Sequence, residues 1–136
     1  MESDRRQTGQ SLTELAIFIT LLLILLAGLI DLGRAYYTYL SLRDAAAEGA
    51  AYGSIHPDDT AGIDTRTRGE SPGGLIDWST ASVETTYVGA HCRGGGVRVK
   101  VTVDYQLLTP FVGTIVGGQT LRLSADVVNT ILTPAC

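Results

Sequence analysis

The chain is poor in the residues on which catalysis and nucleic-acid binding depend. Its 136 residues include two histidines and one lysine, and 18% of them are charged, with a net charge of −4. Soluble domains typically carry about 25% charged residues. The acidic balance disfavours a nucleic-acid binder, and the length excludes a multidomain enzyme or a polytopic transporter.

Motifs for catalysis or metal binding are also scarce. The adjacent His91-Cys92 pair resembles a base beside a thiol, but neighbours in a strand point to opposite faces. The glycine run 94–96 lacks the lysine and the strand–helix context of a phosphate-binding loop. Asp58, Asp59 and Asp64 do not have the spacing of a calcium loop, which favours a solvated loop. The sequence predicts no enzyme, no metal site and no cofactor.

A run of sixteen residues without a charge, Leu15–Ile30, dominates the N-terminal third of the chain. At 1.5 Å per residue it spans roughly 24 Å, short of the ~30 Å hydrocarbon core of a bilayer. The stretch Ser11–Ser54 contains no proline and is rich in good helix formers. We therefore predict one helix over residues 10–54, with its transmembrane part at about 15–33.

A cleaved signal peptide is the competing interpretation, because Arg5 and Arg6 precede the apolar run. The run is longer than the usual apolar region of about 7–15 residues, and no small-x-small cleavage site follows it. Tyr36, Tyr37 and Tyr39 follow the run, where tyrosines either lie among lipid headgroups or contact a globular domain. A membrane anchor is the interpretation that we favour.

A short motif precedes the apolar run. Gly9 is followed five positions later by Glu14, a pattern that resembles the class III processing site of type IV pilins. The resemblance implies that prepilin peptidase cuts between Gly9 and Gln10.

Glu14 is a lone carboxylate at the edge of a hydrophobic helix, where an unpaired charge is costly. Cleavage would create an α-ammonium group at Gln10, and Glu14 of a neighbouring subunit can pair with it in a helical bundle. Such a buried pair specifies the axial register between subunits. The alternative is that Glu14 lies at the membrane surface, favoured by the dipole at the start of the helix.

Four further segments of the helix form a longer pattern: GQSLTELA at 9–16, the leucine run, GLIDLGRAYY at 28–37 and DAAAEGAAY at 44–52. This pattern resembles the TadE-like family, pilin-like proteins of tight-adherence (Flp/Tad) pili. Leu15 stands where the family usually has Phe or Tyr. The resemblance implies a pilin-like fold, a structural role, and contacts with prepilin peptidase and a pilus assembly machinery.

Small residues recur on the C-terminal half of the helix. Ala46, Gly49, Ala50 and Gly53 have the spacing that lets helices approach closely. We predict helix packing through them. The element that packs there is either a neighbouring subunit or the sheet of the same domain.

Beyond residue 81 the apolar pattern changes to a period of two, which is typical of strands. We predict strands over 82–88, 97–105 and 121–132, with a bulge where Val127 and Val128 interrupt the alternation. Alternation leaves one apolar face, which the C-terminal half of the helix covers.

The fold class is therefore α+β: a long N-terminal hydrophobic helix packed at its C-terminal half on a small antiparallel sheet. Glycines 94–96 form the hairpin turn between the first two strands. Residues 55–80 are rich in Gly, Thr, Ser, Asp and Pro, which predicts a long connection, with a short helical turn near Leu75–Trp78. A further connection begins at Thr109.

Both cysteines, Cys92 and Cys136, lie in the C-terminal part of the chain. Two cysteines in a small domain outside the membrane predict one disulfide, which holds the tail to the sheet on the oxidising, exoplasmic side. Free thiols are the alternative.

These features predict a TadE-like pilin or pseudopilin, a homo-oligomeric structural subunit of an extracellular filament assembled through the N-terminal helix. The predicted domains are a cytoplasmic leader-like segment (1–9), the helix (10–54) and an exoplasmic loop plus sheet (55–136). The protein lies in the inner, or cytoplasmic, membrane before assembly and at the cell surface afterwards. The alternative is a single-pass membrane-anchored minor pilin or binding module that does not polymerise.

Overall fold

The computed structural model describes residues 3–69, 76–133 and 135, with side chains described from residue 9 onward. The described elements, in chain order, are α1 (Ser3–Ile55), α2 (Thr60–Gly69), β1 (Ser82–Val88), β2 (Gly96–Gln106), α3 (Pro110–Val116) and β3 (Thr120–Thr130). They form two compact units. The first unit combines the chain up to Arg34 with Leu107–Gln119, and the second combines Ala35–Gln106 with the chain from Thr120.

The three strands form one antiparallel sheet in the order β1-β2-β3. Pairing between β2 and β3 continues without a break from Gly96 opposite Thr130 to Gln106 opposite Thr120. The predicted bulge at Val127 and Val128 is therefore wrong. Val128 instead projects from the other face of the sheet and is exposed, because successive side chains of a strand alternate between faces.

The core of the second unit lies between this sheet and the C-terminal half of α1. The alternating valines of β2 are buried, and they meet a helix face of leucine and alanine that is fully buried. The core residues from these two elements are Leu42, Ala45, Ala46, Ala50, Val97, Val99, Val101 and Val103. The predicted α+β fold, with the helix covering one face of the sheet, is confirmed.

The helix α2 occupies part of the stretch that the sequence predicted as a connection. Asp59 starts it: its Oδ1 accepts the Gly62 N–H at 2.9 Å, the interaction that a residue at a helix N-terminus supplies to an otherwise unpaired amide. Ile63 and Thr67 on α2 are fully buried. The turn expected near Leu75–Trp78 falls partly outside the described residues.

The short helix α3 was likewise not predicted. Pro110 is at its start, and Gly117 ends it in the left-handed conformation, with φ of 88° and its N–H bonded to the Gly113 carbonyl at 3.0 Å. Proline just inside the start and glycine just past the end are the usual boundary residues of a helix. The sequence therefore contained both signals, seven positions apart.

Candidate functional site

The N-terminal half of α1 exposes its large apolar side chains. Leu25 is 71% exposed and Leu32 is 68% exposed. The core helix of a soluble protein buries its apolar stripe against other elements. Among the described residues, α1 is the one helix that is long and apolar enough to cross a membrane.

The residues of the predicted processing site lie within α1. Gly9, Gln10 and Glu14 are all exposed. The Thr13 hydroxyl donates to the Gly9 carbonyl at 3.0 Å, and the Gln10 Nε2 donates to the Glu14 Oε1 at 3.3 Å. The Glu14 carboxylate is thus accessible from outside the helix, with a neutral amide one turn away as its partner.

Asp31 has partners that the sequence did not predict. It is only 2% exposed, although apolar side chains on either side of it in α1 are exposed. Its Oδ1 accepts the Leu108 N–H at 3.0 Å, and its Oδ2 accepts the Thr109 N–H at 3.0 Å and also the Thr109 hydroxyl. A carboxylate in an apolar helix predicts a partner. No local pattern shows that the partner lies 77 positions away.

The helix α3 lies beside α1 in the first unit. A Cβ placed on Gly28 would lie 4.0 Å from the Val112 Cγ2, an ordinary van der Waals distance, so α3 lies directly beside α1 at this position. Next to this contact, the two helices form an open groove lined by apolar side chains. Its lining includes Ile24, Leu25, Leu29, Leu32, Phe111 and Ile115.

The small residues predicted for helix packing lie in the second unit. Ala46 and Ala50 are buried in its core. A Cβ on Gly49 would lie 2.0 Å from the Thr67 Oγ1 of α2, and one on Gly53 would lie 3.1 Å from the Val97 Cγ2 of β2. Of the two alternatives that the sequence leaves open, packing within the domain accounts for all four residues.

The predicted Cys92–Cys136 disulfide includes Cys136, which lies outside the described residues. Cys92 lies in the loop between β1 and β2. The Gly94 N–H donates to the Ile131 carbonyl at 3.0 Å, and the Ile131 N–H donates to the Gly95 carbonyl at 2.8 Å. The described end of the chain is therefore held against the loop of Cys92, and the disulfide stays a prediction.

The aspartates that the sequence assigned to a solvated loop have local structural roles. The Asp59 carboxylate accepts from the Gly62 N–H and from the Tyr52 hydroxyl at 2.8 Å, and these bonds lower the pKa of Asp59. The same Tyr52–Asp59 bond, together with burial, raises the pKa of Tyr52. Asp64 pairs with Arg68 at 2.8 Å.

The two histidines each contact a tyrosine ring. His56 stacks on Tyr52 with the ring centroids 4.7 Å apart, and His91 lies against Tyr87 at 3.8 Å. Burial raises the pKa of Tyr87, whose hydroxyl donates to the Pro57 carbonyl. In the part of the chain that the structure describes, no three His, Cys, Asp or Glu side chains cluster so that they could hold a metal ion.

These features define a class: a small α+β protein with one N-terminal apolar helix that is able to enter a membrane. The family model described as TadE-like protein matches residues 9–51, which confirms the resemblance over α1. That family is associated with components of the Tad pilus and is structural rather than enzymatic. Neither the curated proteins nor the solved structures gave a match.

Proposed function

We propose that the protein is a TadE-like pilin or pseudopilin, a structural subunit of an extracellular pilus-type filament assembled through α1. The observation that carries this proposal is the exposed apolar half of α1, which lies within the TadE-like match. Such a surface must be covered by lipid or by other apolar helices, because exposing a large apolar surface to water is unfavourable in free energy.

The proposed assembly moves this half of α1 from lipid into a bundle of equivalent helices. The apolar side chains are satisfied in both environments, because lipid tails and leucine side chains are similarly apolar. The transfer therefore needs no large change in apolar burial. The second unit, with its sheet, stays outside the membrane and supplies the adhesive or scaffold contacts of the surface.

Glu14 gives this assembly its register. Prepilin peptidase cuts between Gly9 and Gln10, and the new α-ammonium group of Gln10 pairs with the exposed Glu14 carboxylate of a neighbouring subunit. The Gly9–Gln10 bond lies inside α1, so the peptidase must unwind this turn to reach the bond. Glycine makes the unwinding less costly, since it is destabilising in a helix interior by roughly 0.5–1 kcal/mol relative to alanine.

The proposed orientation places the N-terminus in the cytoplasm and the sheet on the exoplasmic side of the inner membrane. Tyr36 and Tyr37, which follow the apolar run, are exposed. Exposed tyrosines at the end of a spanning segment favour the headgroup region. In this orientation, the partners before assembly are the membrane, prepilin peptidase and the pilus assembly machinery.

Substitution of Glu14 tests the register pair. We expect Glu14→Gln to reduce the yield of sheared surface filaments at least tenfold, with the amount of protein in the membrane unchanged. The matched control is Glu84→Gln, because Glu84 is an exposed carboxylate on β1, outside the apolar helix, and we expect this variant to leave the yield unchanged. Undisturbed filament yield in Glu14→Gln would reject the pairing.

The intact mass of the purified protein tests cleavage separately, since processing removes residues 1–9.

A second candidate function is a single-pass minor pilin or assembly module that does not polymerise. The position of α3 favours it, because α3 lies against the Gly28 region of α1. It thereby covers one face of the helix that a neighbouring α1 could otherwise contact. Electron microscopy of surface filaments distinguishes the two functions.

A further inference from the structure

The connection between β2 and β3 is more apolar than connections that are exposed to water usually are. From residue 107 to residue 118 it contains no charged side chain. Its large apolar residues point outward: Phe111 is 61% exposed and Ile115 is 77% exposed, and Leu108 and Val116 are also exposed. Exposed apolar surface concentrated in one segment marks a site of contact with another apolar phase.

The location of the segment identifies that phase. α3 contacts α1 at Gly28, and the groove between them is lined by Leu25 and Leu29 of α1 together with Phe111 of α3. These α1 positions lie within the proposed span of about 15–33. The exposed surface of α3 is therefore continuous with the surface of α1 that faces lipid, and at the same depth.

The backbone of the connection is suited to this environment. A non-helical backbone at membrane depth requires that its polar groups be bonded internally. The Leu107 N–H donates to the Gln119 carbonyl at 2.9 Å, and the Leu108 and Thr109 amides both donate to the Asp31 carboxylate. Pro110 has no N–H to satisfy. The amides that lead into α3 are thus paired without water.

Asp31 supplies the acceptor for two of these amides. Ionisable residues inside a span are costly and usually have partners within the protein. Asp31 lies near the end of the span that leads to the sheet unit, so in the proposed orientation the connection is in the outer half of the bilayer.

We propose that residues 107–118 form a second membrane element, in which α3 lies in the outer leaflet beside α1 and a lipid acyl chain occupies the groove between them. This inference rests on the membrane anchor of the proposed function. The described groove lining consists of apolar side chains and Gly28. The groove therefore suits a flexible acyl chain better than a protein partner, because the described lining has no polar side chain that could orient a protein partner.

Tryptophan fluorescence in the full chain tests this proposal. The protein is reconstituted in vesicles of phosphatidylcholine and phosphatidylglycerol, with lipids brominated at the middle of the acyl chain as quenchers. In a Trp78→Phe background, the reporter is Phe111→Trp. Leu25→Trp is the control for the span, and Val88→Trp, at an exposed position of β1, is the control for the sheet unit.

We expect Phe111→Trp to be quenched at least half as strongly as Leu25→Trp, while Val88→Trp is unquenched. If Leu25→Trp is quenched but Phe111→Trp behaves like Val88→Trp, the anchor stands and the second membrane element is wrong. If neither Leu25→Trp nor Phe111→Trp is quenched, the anchor itself is wrong and the inference fails with it.

A contact with a second copy of the chain would also overturn the proposal. It would give a blue-shifted emission of Phe111→Trp that resists bromine quenching and disappears when the protein is diluted with excess lipid. Because the Trp78→Phe background could unfold, the series is repeated with Trp78 retained and the wild-type signal subtracted. Ile115→Trp is the second reporter and is expected to match Phe111→Trp.

Discussion

Asp31 and Thr109 lie 78 positions apart in the sequence, and the carboxylate of Asp31 accepts both the backbone N–H of Thr109, at 3.0 Å, and its hydroxyl. This relationship fixes the start of α3 to α1. It also explains how a carboxylate is tolerated in the most apolar part of the chain, because three donors replace the water that it has lost.

The first prediction concerns this carboxylate. Asp31→Ala removes the acceptor of the Leu108 and Thr109 amides, so both amides should exchange hydrogen faster by about tenfold or more, as expected on losing a bond to a charged group. Asp31→Asn keeps one acceptor oxygen and should have a smaller effect. Hydrogen-exchange mass spectrometry in lipid nanodiscs measures both, with the amides of β2 as the internal reference. Unchanged exchange at residues 108 and 109 in Asp31→Ala would contradict the role of Asp31.

The second prediction concerns the close contact of α1 with α2. Gly49→Ala places a Cβ 2.0 Å from the Thr67 Oγ1, so either α2 shifts or the Thr67 side chain rotates and loses its bond to the Ile63 carbonyl. We expect a loss of about 1–3 kcal/mol in the free energy of unfolding, the usual cost of overpacking. Combining it with Thr67→Ala removes the clashing oxygen and should recover part of the loss. Thermal unfolding of the full chain in detergent measures these changes.

Gly69→Ala is the control for that series, because nothing lies within 4 Å of a Cβ at Gly69. It should change stability by no more than about 0.5 kcal/mol. If Gly49→Ala were as harmless as Gly69→Ala, the packing of α2 on α1 described here would be wrong.

The third prediction concerns pH. Because the Gly62 N–H and the Tyr52 hydroxyl bond to the ionised carboxylate, the pKa of Asp59 in the folded chain is below its ordinary value of 3.8. The stabilisation is therefore present above about pH 3.8 and is lost as the pH falls through the folded-state pKa. Asp59→Asn lacks this charge, so the stability gap between it and the wild type should narrow below pH 4.

Tyr52→Phe removes one of the two donors to Asp59. The difference in the free energy of unfolding between Tyr52→Phe and the wild type should therefore also become smaller below pH 4, but by less than the difference for Asp59→Asn. The raised pKa of Tyr52 has the opposite dependence: its contribution is present below pH 10 and is lost as the pH rises through the folded-state pKa. Urea unfolding across the pH range measures both effects. A gap between Asp59→Asn and the wild type that stays constant down to pH 2 would contradict this linkage.

Much of this fold could be predicted from the sequence because its large elements carry periodic signals. The alternating valines around Val99 mark a half-buried strand, and the uncharged run from Leu15 marks an apolar helix. The short helices α2 and α3 were missed because glycine, threonine and proline are also typical of loops. Their positions are fixed by tertiary contacts, such as the burial of Ile63 of α2 in the core, rather than by a repeated pattern.

In the candidate site, too, the sequence predicts local relationships but not tertiary contacts. The sequence motif places Gln10 and Glu14 together because residues four apart are neighbours on one helix. The bonding of Asp31 to Thr109 depends on tertiary structure, which no local pattern encodes. The predicted bulge at Val127 is wrong because two adjacent apolar residues do not require a change of register, and Val128 is an exposed valine on the outer face.

The fourth prediction concerns the cysteines. Bonds of Ile131 with Gly94 and Gly95 hold the end of β3 beside the loop of Cys92, so we expect a Cys92–Cys136 disulfide. In the chain-entropy model, closing a loop of this length contributes about 3–4 kcal/mol. Mass spectrometry of non-reduced peptides should find the cross-linked pair, and Cys136→Ser should lower the unfolding temperature. Quantitative alkylation of both thiols without a reductant would contradict the prediction.

Immunogold electron microscopy of filaments sheared from the cells that produce the protein shows whether this chain is a structural subunit of a surface filament. With an antibody against the sheet unit, we expect label along the whole length of the filaments, and loss of the filaments when the gene is deleted. Unlabelled filaments that persist after the deletion, with all of the protein left in the membrane, would contradict it.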